Sequence, residues 1–181
     1  TTADAAADYN VVITGTVPCA PVTSNNAALV VNDAVVITSQ PAATQTVCSG
    51  SSVSFSVTAT GTGLTYQWRK GTTNLSNGGN ISGATTATLT LTGVLTTDAG
   101  SYNVVVSGAS PCAAVTSNSA VLVVNQVVAI SAQPAATQTV CTGNSVSFSV
   151  TATGTGLSYQ WRKGVLNLTD GGSISGASTN T

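Results

Sequence analysis

The chain has 181 residues, of which only 5% are charged, and its formal net charge at pH 7 is −1. It lacks the basic field that nucleic acids and acidic lipids need, so we expect no nucleic-acid partner. Apolar residues make up 42%, mostly Val and Ala interleaved with Thr and Ser. This composition is typical of strands and differs from that of disordered chains. No run is apolar and long enough for a membrane span.

A repeat runs through the whole chain. The nine residues QPAATQTVC occupy Gln40 to Cys48 and recur at Gln133 to Cys141, 93 residues later. Residues 1–88 align with 94–181 without a gap, and about two-thirds of the positions are identical. This period is the size of a small domain and exceeds that of solenoid repeats, at roughly 20–50 residues. We predict three units: the C-terminal part of one over 1–35, a complete one over 36–125, and the N-terminal part of another over 126–181.

The predicted strands of the complete unit follow one another at short intervals. They alternate between apolar and polar residues, and turns rich in Gly and Asn separate them. The side chains predicted to face inward are Val53, Phe55 and Val57, then Leu64, Tyr66 and Trp68, then Leu89 and Leu91, then Tyr102, Val104 and Val106. The segment SNSAVLVVN closes the unit. About seven short strands with this pattern predict an all-β sandwich.

The segment LTLTGVLTTDAGSY, Leu89 to Tyr102, resembles the signature around strands E and F of immunoglobulin-like domains. Trp68 falls where that family keeps its strand C tryptophan. The resemblance implies a tyrosine corner built from Asp98, Gly100 and Tyr102. Antibody-type domains have a core disulfide at the positions where this chain has Phe55 and Val104. The core residues implied by the resemblance are Phe55, Trp68, Leu91, Tyr102, Val104 and, in the last unit, Trp161.

The full pattern is similar to the bacterial immunoglobulin-like repeats of very large secreted and surface proteins, notably those of Bacteroidota. The stretches QTVCSGSSVSFSVTATG, LTYQWRKG and DAGSY, then a cysteine and VTSN, carry this resemblance. It implies an extracellular or cell-surface location and a role in a stalk, adhesin or fibre. The expected partners are neighbouring repeats or copies of the same chain, with a host, surface or glycan ligand as a further option.

Residues suited to catalysis are sparse. The chain has no His, and its five acids are scattered: Asp4, Asp8, Asp33, Asp98 and Asp170. The cysteines lack the spacing of zinc sites, and the GTG at Gly61 precedes no helical pattern. Arg69 and Lys70 are expected to be solvated charges at the end of strand C. We therefore expect no catalytic residue, no metal and no cofactor.

The four cysteines, Cys19, Cys48, Cys112 and Cys141, are even in number, which favours disulfides in an oxidising compartment. In the sandwich that the resemblance implies, Cys48 lies in the A–B turn and Cys112 in the F–G loop. These sites are at opposite ends, roughly 30 Å apart, whereas a disulfide needs Cα atoms within about 7 Å. We predict that Cys48 bonds the F–G cysteine of the following unit or copy, and Cys112 the A–B cysteine of the preceding one.

Two other functions stay open. The first is a carbohydrate-binding or spacer module of a large secreted enzyme, which would need an exposed aromatic platform. The second is a eukaryotic receptor ectodomain, which the missing core disulfide and the low charge disfavour.

The first and last units are both partial, and together they lack only five residues of one 93-residue period. We therefore expect the units to stack head to tail. A continuous chain is favoured over copies that complete each other's sandwich, with an axial repeat of roughly 70–90 Å for two units.

Overall fold

The computed structural model describes residues 4–181, and this part of the chain contains no α-helix. Before the complete unit come β1 (Ala6–Tyr9), β2 (Val12–Ile13), β3 (Val22–Thr23) and β4 (Ala27–Leu29). The complete unit contains β5 (Val36–Ser39), β6 (Thr44–Cys48), β7 (Val53–Ser56), β8 (Thr58–Thr60), β9 (Thr65–Lys70), β10 (Thr73–Asn74), β11 (Ile81–Ser82), β12 (Thr88–Leu91), β13 (Gly100–Ser107), β14 (Val115–Thr116) and β15 (Ala120–Asn125). After it come β16 (Ala129–Ala132), β17 (Thr151–Thr153), β18 (Arg162–Lys163) and β19 (Leu166–Asn167).

The complete unit is a sandwich of two sheets. One sheet has the order β10-β9-β13-β15-β6, with β14 also paired to β13, and the other has the order β11-β12-β7. A 3₁₀ turn at Thr96–Asp98 leads from one sheet to the other. The antiparallel register of β13 on β9 sets Val104 opposite Trp68. Because strand side chains alternate, this register turns the apolar face of both strands toward the second sheet.

The first strand of the complete unit is split into two halves that lie in different sheets, the first half in a two-stranded sheet of its own with β8. Its first half, β5, pairs antiparallel with β8, and its second half, β6, pairs parallel with β15. Gln40 and Pro41 lie at the crossing, where a proline without an N–H removes no ladder hydrogen bond. The Gln40 side chain accepts a hydrogen bond from the Asn118 backbone N–H at 2.9 Å. This bond ties the crossing to the loop between β14 and β15.

The core lies between the sheets of the complete unit. Its largest fully buried side chains are Trp68, Tyr102, Phe55, Leu89, Leu91, Leu122, Val94, Val104 and Val106. The Phe55 ring stacks on Tyr102 at 5.3 Å between centroids and lies 6.4 Å from Trp68. The Trp68 indole donates to the Thr86 carbonyl at 2.9 Å, so its one polar group is satisfied.

The flanking segments are more open. In the first, β1 pairs with β4 and β2 with β3, and Tyr9 is 48% exposed where Tyr102 is 1% exposed. In the last, β16 pairs with β17 and β18 with β19. Residues 146–149 correspond to β7, but within residues 4–181 they form no strand. Phe148 is accordingly 44% exposed.

Candidate functional site: the joints between units

The tyrosine corner ties the 3₁₀ turn to β13. The Tyr102 hydroxyl donates to the Asp98 carbonyl oxygen at 2.6 Å. The Asp98 carboxylate accepts hydrogen bonds from the Leu95 backbone N–H at 2.8 Å and from the Asn80 amide at 2.9 Å. Burial, with a smaller contribution from the Asp98 charge, raises the pKa of Tyr102 to about 12. Asp98 and Tyr102 are therefore engaged in holding the turn.

The first segment keeps a variant of this corner. Ala5 and Ala7 stand where the complete unit has Asp98 and Gly100. The Tyr9 hydroxyl still donates to a backbone carbonyl, that of Asp4, at 2.5 Å. The corner hydrogen bond therefore depends on the tyrosine and a nearby carbonyl, and does not require the aspartate side chain.

Three of the four cationic side chains are also engaged in local contacts. Lys70 donates to the Thr97 carbonyl oxygen at 2.7 Å, and its ammonium lies 5.9 Å from the centroid of the Tyr102 ring. Arg69 donates to the Asn74 amide oxygen at 2.8 Å, and Arg162 does the same to Asn167 at 2.9 Å. Within residues 4–181 no group of three or more His, Cys, Asp or Glu side chains could hold a metal ion.

An apolar groove opens on the last segment, lined in part by Val146, Phe148, Trp161 and Leu168. Phe148 and Trp161 keep the 6.4 Å ring separation of Phe55 and Trp68. In the complete unit the equivalent face lies under β13 and β15. The groove is thus lined by residues that correspond to the core face of the complete unit, which distinguishes it from a preformed ligand pocket.

We use the word joint for two junctions one repeat period apart, Asn32–Asp33 and Asn125–Gln126; the first lies three residues before the predicted boundary at 35/36. At the first joint, Asp33 and Thr62 exchange two hydrogen bonds: the Asp33 N–H donates to the Thr62 hydroxyl at 2.9 Å, and the Thr62 N–H donates to the Asp33 carbonyl at 3.2 Å. At the second joint, Gln126 and Thr155 make the same exchange at 2.8 and 3.2 Å. Both residues of the second pair lie 93 residues beyond those of the first, so the chain starts each unit with the same local geometry.

The F–G loop of the complete unit packs on the first joint. The Asn32 amide donates to the Ser110 carbonyl at 3.0 Å, and the Cys112 thiol lies 3.6 Å from the Asn32 carbonyl oxygen. A Cβ on Gly108 would stand 2.8 Å from Val35, so this glycine permits the close approach of the loop. Cys112 is therefore placed at the end of the unit that faces its predecessor.

The A–B turn lies at the other end, against the second joint. In the parallel pairing of β6 and β15, Cys48 stands opposite Asn125. The Ser49 backbone N–H donates to the Asn125 carbonyl at 2.8 Å. All four cysteines are free in the structure. Their pairing with cysteines of neighbouring units stays a prediction.

Two residues of the joint were missed by sequence reasoning. Asn32 anchors the F–G loop, and Thr62 anchors the start of its unit, yet neither belongs to a recognised motif. The available signal was the repeat itself, because the two residues recur 93 positions later as Asn125 and Thr155. Each joint therefore has an Asn at the end of one unit and a Thr between two glycines in the next unit.

Comparison with known proteins identifies the fold. Residues 37–126 match a family described as "Domain of unknown function (DUF8696)". No curated protein matches the chain at a significant level. An I-band fragment of titin superposes with a TM-score of 0.79 at 18% identity, over 95% of this chain and 60% of that fragment.

Two further solved structures are similar. The Sidekick-1 immunoglobulin domains 1–5 superpose with a TM-score of 0.56 at 20% identity, over 92% of this chain and 37% of that one. The Drosophila OTK extracellular domains 3–5 give 0.54 at 18% identity, over 83% and 50%. The chain therefore spans about 60% of the titin fragment and less of the others. At these identities the likeness establishes the fold, which is immunoglobulin-like and all-β.

Among residues 4–181, no helix has the length and hydropathy that crossing a bilayer requires.

Proposed function

We propose that this chain is a non-catalytic structural repeat of an extracellular stalk, adhesin or cell-surface fibre, built from immunoglobulin-like units that follow one another head to tail. The observation that carries the proposal is the repeated joint. The same reciprocal hydrogen bonds fix the first residue after each joint to a threonine of its own unit, Asp33 to Thr62 and Gln126 to Thr155, and Asn32 contacts the F–G loop across the first joint. Unit follows unit without the Gly/Ser or Pro stretch that a flexible or spacer linker needs.

The strand order also suits a role under tension. Force along the chain enters the complete unit at its first strand and leaves through β15. Because β6 runs parallel to β15 over five residue pairs, pulling their far ends apart loads these hydrogen bonds in shear. Several bonds must then break together before the unit opens. This arrangement favours a stalk or fibre over a module that only tethers an enzyme.

The carbohydrate-binding alternative lacks a supporting observation. A sugar platform needs exposed aromatic faces, but Phe55, Trp68 and Tyr102 are fully buried in the complete unit. The partly open Trp161 lies on the equivalent core face of the last segment. The resemblance to bacterial surface repeats supports a location outside the cell, on the surface of a bacterium.

Surface labelling of cells that produce the protein tests this proposal. An antibody against residues 33–125 should label intact cells along projecting material, and protease added outside should remove the label without permeabilisation. A cytoplasmic protein of the same cells, resistant to that protease, is the control. Labelling that appears only after permeabilisation would overturn the proposal.

A further inference from the structure

We propose that each joint is closed by a disulfide between the A–B cysteine of one unit and the F–G cysteine of the next, the positions of Cys48 and Cys112. The inference rests on the proposed head-to-tail arrangement and deepens it, because it makes the fibre covalently cross-linked at every joint. The two halves of this site are both present in the complete unit, one at each end.

The first half is the contact between Cys112 and the residue that ends the preceding unit. The Cys112 sulfur lies 3.6 Å from the Asn32 carbonyl oxygen. The Asn32 amide holds the same loop through the Ser110 carbonyl at 3.0 Å. The F–G cysteine is thus held at the carbonyl of the last residue before the joint.

The second half is the contact between the A–B turn and the equivalent carbonyl. Asn125 lies 93 residues after Asn32 and ends the complete unit in the same way. The Asn125 carbonyl oxygen accepts from the Ser49 N–H at 2.8 Å, and Cys48 stands opposite Asn125 in the sheet. Neighbouring strands are spaced about 4.8 Å apart, so Cys48 lies within one strand spacing of this residue.

Repetition of the joint brings the two halves together. Because the first residue after each joint makes the same hydrogen bonds within its own unit, we expect the F–G cysteine of a following complete unit to approach the Asn125 carbonyl as Cys112 approaches that of Asn32. The Cys48 turn and the following cysteine then approach the same residue, Asn125. A disulfide requires Cα atoms about 4.4–6.8 Å apart, and we infer that the joint brings the two cysteines within this range.

The exposure of the cysteines fits this chemistry. Cys48 is exposed and Cys112 is half-buried, so one thiol is open to an oxidant while the other is held in place. The two thiols lose two protons and two electrons as the S–S bond forms. A disulfide oxidant such as oxidised glutathione takes the electrons and is reduced to two thiols.

A chain of two complete units tests the proposal, made by joining residues 33–125 to a second copy of 33–125. Each copy carries the full core between its two sheets, and the new junction Asn125–Asp33 has the Asn–Asp sequence of the first joint. Trypsin cuts after Arg69 and Lys70, between Cys48 and Cys112, and so divides this chain into three cysteine-containing fragments. After oxidation with glutathione, we expect the first and third fragments to be linked and the middle fragment to keep both thiols.

Two matched variants separate the joint from ordinary thiol oxidation. In one, Cys112→Ala in the first copy and Cys48→Ala in the second leave only the joint pair. In the other, Cys48→Ala in the first copy and Cys112→Ala in the second leave only the outer pair. The joint pair should close within one chain, at a rate independent of protein concentration. The outer pair should stay reduced or form concentration-dependent dimers, and equal behaviour of the two variants would overturn the proposal.

Folding of both variants is checked by circular dichroism. If either fails to fold, non-reducing peptide mapping of the native full-length protein decides: the A–B and F–G peptides must be recovered as linked pairs. Their recovery with free thiols would overturn the disulfide. Surface labelling is independent of the redox state, so the stalk proposal can survive failure of the disulfide, and the disulfide can form in a protein that fails the labelling test.

Discussion

Tyr102 combines three roles that a single aromatic side chain rarely fills at once. Its ring stacks on Phe55 in the core, its face is approached by the Lys70 ammonium, and its hydroxyl holds the Asp98 carbonyl. Burial of the phenol disfavours the phenolate, and the neighbouring Asp98 charge adds to this effect. The folded state therefore retains the proton of Tyr102 at a pH where an exposed tyrosine would lose it.

Stability should consequently fall at high pH. The unfolded phenol titrates near pH 10, whereas the folded one has a pKa of about 12. Between these values the unfolded chain binds fewer protons, so the free energy of unfolding decreases as pH rises and the stabilisation is fully present only below about pH 10. Urea unfolding midpoints between pH 8 and pH 11.5 measure this slope.

Tyr102→Phe should reduce this slope and also cost roughly 1 kcal/mol at pH 8 through the lost hydrogen bond to Asp98. Tyr9→Phe is the matched control, because its ring lies outside the core of the complete unit. A Tyr102→Phe protein with the full wild-type slope would show that other groups cause the alkaline loss.

For individual residues, the sequence indicates which side chains face the core, but it does not indicate which groups their polar neighbours hydrogen-bond. Alternation and the family resemblance together pointed to Phe55, Trp68 and Val104, because side-chain direction in a strand is fixed by parity. The hydrogen bond between the Asn77 side chain and the Ala84 N–H, at 2.8 Å, has no such periodicity. It depends on how a loop folds back, which local patterning does not encode.

Among the elements, the loop between β11 and β12 is held by its docking on β9. The backbone N–H of Trp68 donates to the Ala84 carbonyl at 2.9 Å, and Ala84 is fully buried. Gly83 makes the turn possible with a φ of +76°, and a Cβ there would stand 2.0 Å from the Thr88 carbonyl oxygen. The loop therefore tolerates no side chain at this position.

Gly83→Ala should destabilise the complete unit by about 2 kcal/mol or more, because left-handed backbone strain and a steric clash act together. Gly71→Ala is the matched control: Gly71 has a φ of +60°, but a Cβ there would meet nothing within 4 Å. It should cost no more than about 1–2 kcal/mol, from backbone strain alone. Urea unfolding of both variants provides the measurement, and equal losses would contradict the role given to the Thr88 contact.

Strand formation depends on the pairing partner as well as on the local pattern. The two halves of the first strand, on either side of Pro41, pair with different strands, β5 with β8 and β6 with β15. Residues 146–149 repeat the alternating pattern of β7, yet form no strand. In the complete unit β7 pairs with β12, which supplies the hydrogen bonds of that ladder. The alternating pattern determines which side chains share a face, but a strand also needs a neighbour.

At the scale of the whole molecule, the same short sequence is fully buried at one place in the chain and only half-buried at another. Trp68 and Trp161 are the two tryptophans, and both lie in the sequence YQWRKG. Trp68 is fully buried beneath β13 and β15, whereas Trp161 is half-buried beside the exposed Phe148. The difference comes from long-range packing, since the local sequence is identical. A fluorescence comparison of the two can therefore isolate the effect of the covering strands.

Acrylamide should quench Trp161 several-fold more strongly than Trp68 in the native chain, and the emission of Trp161 should lie at longer wavelength because its surroundings are more polar. The variant Trp161→Phe reports Trp68 alone, and subtraction from the wild-type signal gives Trp161 without altering the core of the complete unit. In 8 M urea (chosen as the unfolded reference) the two residues should be quenched equally, because their neighbours in sequence are the same. Equal quenching in the native state would show that the core face of the last segment is covered, and would contradict the open face described for residues 146–177.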